Sequence, residues 1–301
     1  MSNAVTAADI ERITNLRVTN PAAVRAALRD RVRPAGLPAD GKMMLIAADH
    51  PARGAISVGS DPMAMADRAS LLGRIITALS QPGVDGILGQ PDILEDLAVL
   101  GALDGKLVFG TMNRGGIVGA AWELDDRMTA YDAAHTASMN LDGAKMLLRI
   151  EDTDPGVART IEACAQAVTE LADRDLIAML EPLPYEITAK GKAKLVKDNK
   201  KLIRATAIAA GMGATSAYTW LKLPAWSDIA AAAAVSTLPV LILGGDPGDN
   251  WDAAFADWAR ALEQPTVRGL VIGRALLFPP DGDVASAVQR AAAIVRPGGA
   301  A

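Results

Sequence analysis

The sequence predicts an α/β fold, a (β/α)8 TIM barrel with an N-terminal helical extension, on three observations. From residue 41 onwards, short apolar runs of four to seven residues alternate with longer segments of helical periodicity. The runs number eight, the count at which parallel strands joined by crossover helices close into a ring. The chain has 301 residues, room for a barrel of about 250 residues plus an extension.

The elements follow in order. Residues 5–33 carry two helical segments, and Thr19-Asn20-Pro21 has the form of a helix cap with proline in the first turn. Pro38 and Gly41 then break the pattern before the first strand. Predicted strands are 43–48, 84–88, 107–110, 144–150, 176–181, 217–223, 240–243 and 269–272. Predicted helices are 61–80, 91–101, 129–141, 155–173, 195–212, 226–236, 251–263 and 282–296. A doubly wound open sheet is the alternative, but it usually has fewer strands, and neither a topological switch nor a G-x-G-x-x-G turn is visible. Without internal repeats or a low-complexity linker, the expected division is an extension over residues 1–40 and one barrel domain over 41–298.

Composition removes several function classes. Half the residues are hydrophobic and 22% are charged, which is globular composition. A net charge of -5 without a basic tail argues against a nucleic-acid partner. The opening MSNAVTAADIER lacks the features of a signal peptide, and the longest apolar stretch, 229–235, is too short to span a membrane. Cys164, the single cysteine, is expected as a small buried helix residue, so no disulfide forms within the chain and a cytoplasmic location is expected. A catalytic zinc would have to recruit both histidines, His50 and His135. Metal-dependent chemistry is therefore disfavoured and no cofactor is expected, although a magnesium site built from carboxylates stays open.

Chemistry in a barrel collects at the C-terminal ends of strands, so polar residues there are the candidates. Asp49 follows the first run, Lys145 and Arg149 lie in the fourth, Glu181 ends the fifth and Lys222 lies in the sixth. Side-chain alternation puts Lys222 on one face with Trp220 and Tyr218, Asp49 with Ala47 and Leu45, and Lys145 with Leu147 and Arg149. Taken singly, each has a bland reading: a snorkelling lysine for Lys222, a loop start or helix cap for Asp49 and Glu181. Taken together, two lysines and two acids on four strands would be costly to bury unless paired. Paired in one barrel mouth, they would suit Schiff-base chemistry. Lys222 is the candidate nucleophile, Lys145 the neighbouring cation that favours its neutral form, and Glu181 and Asp49 the acid–base groups.

Anion binding has its own signals. LILGGDPGDN ends the seventh run and GLVIGRALLF contains the eighth. They place Gly244, Gly245, Gly273 and Arg274 where barrels commonly hold a phosphate. Asn113 and Arg114 in TMNRGG, Arg149 on the fourth strand, and His50 and Arg53 in the first loop are further binding candidates. The basic stretch 189–201 is expected to be a solvated loop and helix face, with room for Lys192 or Lys194 to cover the site. His135 is assigned a plain helix role.

The motifs IAADHPARG, DGAKMLLRIEDTD, LEPLPYE, WLKLP and LGGDP with IGRALLF resemble class I aldolases over residues 41–280. That group includes tagatose-1,6-bisphosphate, sulfofructose-phosphate, archaeal-type fructose-bisphosphate and deoxyribose-phosphate aldolases. The tagatose-bisphosphate branch is the most similar, through its strand-four lysine and the LE dipeptide on strand five. The resemblance implies Lys222 as the Schiff-base lysine, supported by Lys145, Glu181 and Asp49, with Gly244, Gly245, Gly273 and Arg274 on a phosphate. It implies a carbon–carbon lyase acting on a phosphorylated or sulfonated sugar, commonly releasing dihydroxyacetone phosphate, in a homo-oligomer. The first loop, DHPARG, and the strand-three loop, NRGG with Trp122 nearby, depart from the family forms and leave the aldehyde half of the substrate open. Transaldolase-like or acyl-transfer chemistry at the same lysine, and a non-catalytic sugar-phosphate-binding protein, are the alternatives.

Overall fold

The computed structural model describes residues 4–113, 116–226, 229–245 and 250–298. Its strands are β1 (Met43–Ala48), β2 (Gly86–Gly89), β3 (Leu107–Thr111), β4 (Gly143–Ile150), β5 (Ile177–Ile187), β6 (Ala193–Leu195), β7 (Thr219–Pro224), β8 (Val240–Leu243) and β9 (Val267–Ile272). All but β6 are parallel, in the order β4-β3-β2-β1-β9-β8-β7-β5, and the β4–β5 pairing closes the ring. The protein is thus a (β/α)8 barrel preceded by helices.

The helices are α1 (Ala7–Thr19), α2 (Pro21–Arg29), α3 (Arg68–Leu79), α4 (Pro91–Val99), α5 (Ala133–Ser138), α6 (Pro155–Ala172), α7 (Asn199–Ala210), α8 (Ile229–Ala233), α9 (Trp251–Ala261), α10 (Arg274–Leu277) and α11 (Val284–Val295). As the cap signal predicted, Asn20 accepts a hydrogen bond from the Ala23 N–H and Pro21 occupies the first turn of α2. The extension docks through Arg17 on Glu95 and Asp96 of α4, at 2.9 and 2.8 Å. Arg31 and Arg33 both reach Asp142, at 3.1 and 2.8 Å.

Alternation along the strands separates two apolar layers. One faces the helices. The other fills the barrel and contains Met43, Leu45 and Ala47 of β1, Phe109, Met179, Leu241 and Val271, with Trp220 packed against it. Trp220 inside fixes the parity of β7, so Lys222 points inward two residues on. Asp49 continues the inward row of β1 in the same way.

Several boundaries differ from the periodicity. The helix predicted from residue 61 begins at Arg68, because Asp67 caps it by accepting from the Ser70 N–H at 2.7 Å. The helix predicted over 129–141 contracts to α5, capped by Asp132. That predicted over 226–236 is described only as α8, since residues 227–228 lie outside the described part. The largest departure is β5, which runs six residues past Glu181 to Ile187 and folds back on β6, with Tyr185 opposite Leu195. Pro182 and Pro184 interrupt the apolar pattern, but they lie beyond the last registered β5–β7 pair, Leu180 with Leu221, so no ladder on that side needs their missing N–H groups.

Candidate active site

Four inward-pointing side chains meet at the C-terminal end of the barrel. Lys222 Nζ on β7 lies 3.0 Å from Glu181 Oε1 on β5. The other oxygen of Glu181 is in close contact with Lys145 Nζ on β4. Lys145 Nζ also donates to Asp49 Oδ2 at 3.3 Å, and Thr111 donates to the same oxygen at 3.4 Å. The result is an alternating chain of acid, base, acid and base. All four are buried, Asp49 and Lys145 completely so. An isolated buried charge is strongly unfavourable, whereas two carboxylates and two ammonium groups in alternation balance one another.

A pocket of about 670 Å³ opens above this chain, and Asp49, Glu181 and Lys222 lie in its wall. Lys145 has no exposed surface and contacts Glu181 and Asp49 from beneath. The Lys222 ammonium therefore has a carboxylate within hydrogen-bond reach to take its proton, and a carbonyl in the pocket would meet the amine from the open side.

The same wall contains Gly244, Gly245, Gly273 and Arg274. Gly273 follows β9, and a Cβ there would fall 2.3 Å from the Ala47 carbonyl oxygen and 2.8 Å from His50 Cε1. Only glycine lets the ends of β9 and β1 approach so closely. Gly245 has φ 65°, the left-handed conformation that glycine adopts without strain. Arg274 opens α10 and donates to the Ser57 carbonyl at 3.3 Å. His50 and Arg53 also line the pocket, with His50 Nδ1 3.9 Å from Asp49.

Two predicted binding residues lie outside this wall. Asn113 is buried; its carboxamide accepts from the Leu147 N–H at 2.6 Å and donates to the Leu147 carbonyl at 2.5 Å. It thereby extends the β3–β4 ladder one step with a side chain. Arg149 is also fully buried, and Asp126 holds it through two hydrogen bonds of 2.8 and 2.7 Å. Burial alone would lower the pKa of Arg149, but the Asp126 hydrogen bonds and charge, with Tyr185 and Glu123, raise it above the ordinary guanidinium value. Arg114 lies outside the described residues.

In the basic stretch, Lys194 is exposed and 3.7 Å from Glu186, and Lys192 turns back on Thr188. Lys197 instead reaches the pocket wall, carried there by the β5–β6 hairpin. Sequence reasoning also missed Tyr185, Trp226, Asn250 and Asp257 in that wall. Tyr185 was recoverable, since it keeps the parity of Glu181 if the strand is continued through the prolines. His135 is exposed on α5, 2.8 Å from Asp132, and Cys164 is buried on α6.

Among the described residues, no cluster of three or more His, Cys, Asp or Glu side chains could hold a metal ion. No described helix is long and apolar enough to cross a membrane.

The barrel shares its fold with solved fructose-bisphosphate aldolases. A Schiff-base-forming fructose-1,6-bisphosphate aldolase superposes with a TM-score of 0.65 at 17% identity, over 90% of this chain and 99% of that one. An archaeal fructose 1,6-bisphosphate aldolase gives 0.66 at 17% identity, over 91% and 100%. At such identities the likeness is one of fold. The chain belongs to the Cgl0159-like family, whose model matches residues 41–292. The crystal structure of Cgl0159 from Corynebacterium glutamicum (Brevibacterium flavum) is similar at 46% identity and a TM-score of 0.93, over 97% of this chain and 98% of that one. None of the curated proteins matches the chain.

Proposed function

We propose that the protein is a metal-independent class I aldolase, a carbon–carbon lyase in which Lys222 forms a Schiff base with a phosphorylated ketose. The carrying observation is the buried chain Asp49–Lys145–Glu181–Lys222 at the mouth of a barrel, with Lys222 and Glu181 3.0 Å apart. Glu181 takes a proton from the Lys222 ammonium, and the freed amine adds to the ketose carbonyl. Glu181 returns the proton to the carbinolamine hydroxyl, which leaves as water. The iminium then carries its positive charge where the ammonium stood, so the charge balance with Glu181 persists. Asp49 takes the proton of the hydroxyl adjacent to the breaking carbon–carbon bond. Electrons of that bond pass into the iminium and an aldehyde departs; Asp49 returns its proton to the enamine carbon, and water hydrolyses the restored iminium to release the second product and the Lys222 amine.

The favoured products are dihydroxyacetone phosphate, or a close relative, and an aldehyde. Gly244, Gly245, Gly273 and Arg274 would hold the shared phosphate, through backbone N–H groups and a guanidinium. The tagatose-bisphosphate and sulfofructose-phosphate motif likenesses supply the first substrates to try. Incubation of phosphorylated and sulfonated ketoses with borohydride should add a reduced adduct to the peptide containing Lys222. Lys222→Met should lose both adduct and turnover while keeping the wild-type circular-dichroism spectrum, at a lower melting temperature because Glu181 loses a buried partner. Turnover that leaves Lys222 unmodified under trapping, or that survives in Lys222→Met, would refute the assignment.

A further inference from the structure

A second charged chain stands above the first, and the proposed chemistry does not use it. Arg149 lies four residues beyond Lys145 on the same inward face of β4 and is fully buried. Besides its two bonds to Asp126, its Nη1 reaches Glu123 Oε1 at 3.2 Å and its Nη2 donates to the Glu123 carbonyl. The guanidinium carbon sits 5.2 Å from the centre of the Tyr185 ring. The Glu123 carboxylate also accepts from the Gly119 N–H at 2.9 Å and from Arg53 Nη2 at 3.4 Å.

The segment from Gly116 to Asp126 is thus folded around one guanidinium. A Cβ on Gly116 would lie 2.2 Å from Arg149 Nη2 and 2.3 Å from the Glu123 carbonyl oxygen, which explains the glycine that closes NRGG. Of the four charged groups Arg53, Glu123, Arg149 and Asp126, it is Arg53 that reaches the pocket wall. The order of strands places it usefully. Arg53 follows β1, but its guanidinium is drawn to Glu123, which is bonded to Arg149 of β4, three of the eight ring positions from β8, the strand that precedes Gly244 and Gly245.

We infer that Glu123 and Arg149 are positioning residues that hold Arg53 across the pocket from the Gly244–Gly245 turn, as the contact for a second anionic group at the far end of the ketose. The inference rests on the aldolase reading for the substrate and goes beyond it in assigning what orients that end. A long, flexible side chain loses rotamer freedom when it binds, and a side chain already held in place loses less.

The test compares fructose 1-phosphate with fructose 1,6-bisphosphate as probes, measuring the concentration that half-saturates borohydride trapping on Lys222. The wild-type protein should prefer the bisphosphate by about tenfold or more, as expected for one charge-assisted contact. Glu123→Gln should reduce that preference severalfold and change the fructose 1-phosphate value less than about twofold. Because Glu123 acts through Arg53, the double variant with Arg53→Ala should be no worse than Arg53→Ala alone. Equal losses for both probes in Glu123→Gln would show a merely structural role and overturn the inference, as would an unchanged preference. Additive losses in the double variant would overturn it too. In these cases trapping with both probes leaves the aldolase reading standing. No adduct with either probe in the wild type would count against both.

Discussion

Replacing Lys145 with methionine asks whether charge balance holds the floor of the candidate site together. The lysine has no exposed surface and sits between two carboxylates. At an effective dielectric of about 20, its attraction to Asp49 across 3.3 Å is about 5 kcal/mol. The contact with Glu181 is at least comparable. Removing the lysine also removes its own desolvation cost, so the expected net loss is about 3–5 kcal/mol. At roughly 2–4 °C per kcal/mol for a large domain, melting should fall by about 6–20 °C. Adding Asp49→Asn deletes the surplus carboxylate and leaves the Glu181–Lys222 pair neutral, so the double variant should regain about half of the loss or more. Calorimetric scans at pH 7 of the wild type, both single variants and the double variant provide the measurement. A Lys145→Met protein melting within about 2 °C of wild type, or a double variant as unstable as the summed singles, would refute the reasoning.

Two further outcomes follow from buried groups. Asn113→Ala should destabilise by about 2–4 kcal/mol in denaturant titrations, since it strands the buried Leu147 N–H and carbonyl; a loss under about 1 kcal/mol would count against the ladder-extending role. Burial pushes the Cys164 thiol from 9.0 up to about 12, so the unfolded chain ionises first as pH rises. Stability should therefore fall above pH 9 by about 1.4 kcal/mol per unit. Tyr131, whose hydroxyl burial also pushes upward, adds to the fall as pH approaches 10, so the difference between wild type and Cys164→Ala isolates the thiol. A slope undiminished in Cys164→Ala would refute the attribution.

Much of the frame was legible because it is written in local pattern. The bounds of β1 and β8 coincide with apolar runs flanked by turn residues. Alternation put Lys222 on the side of Trp220 and Asp49 on the side of Ala47, as the interior cluster shows. The glycines after β8 and β9 marked a stretch of the pocket wall that also contains Lys222. Where local pattern failed, the cause was a residue type whose context outweighed its propensity. Prolines hid the far half of β5, and with it Tyr185 and the hairpin that brings Lys197 to the pocket.

Sequence alone pointed to a ring of parallel strands and showed which charged residues share a face with which apolar ones, because periodicity depends on neighbours along the chain. It did not show which groups would partner the two cations on the inward face of β4. Lys145 and Arg149 have the same parity, yet the first completes the chain to Lys222 and the second is enclosed by the segment after β3. That division depends on register: Leu147 lies opposite Glu181, which sets Lys145 below the carboxylate and Arg149 above it. It depends equally on Glu123 and Asp126, which reach Arg149 from a loop without periodic pattern. Charge partners across strands are chosen by how the ring closes, and only the tertiary structure contains that closure.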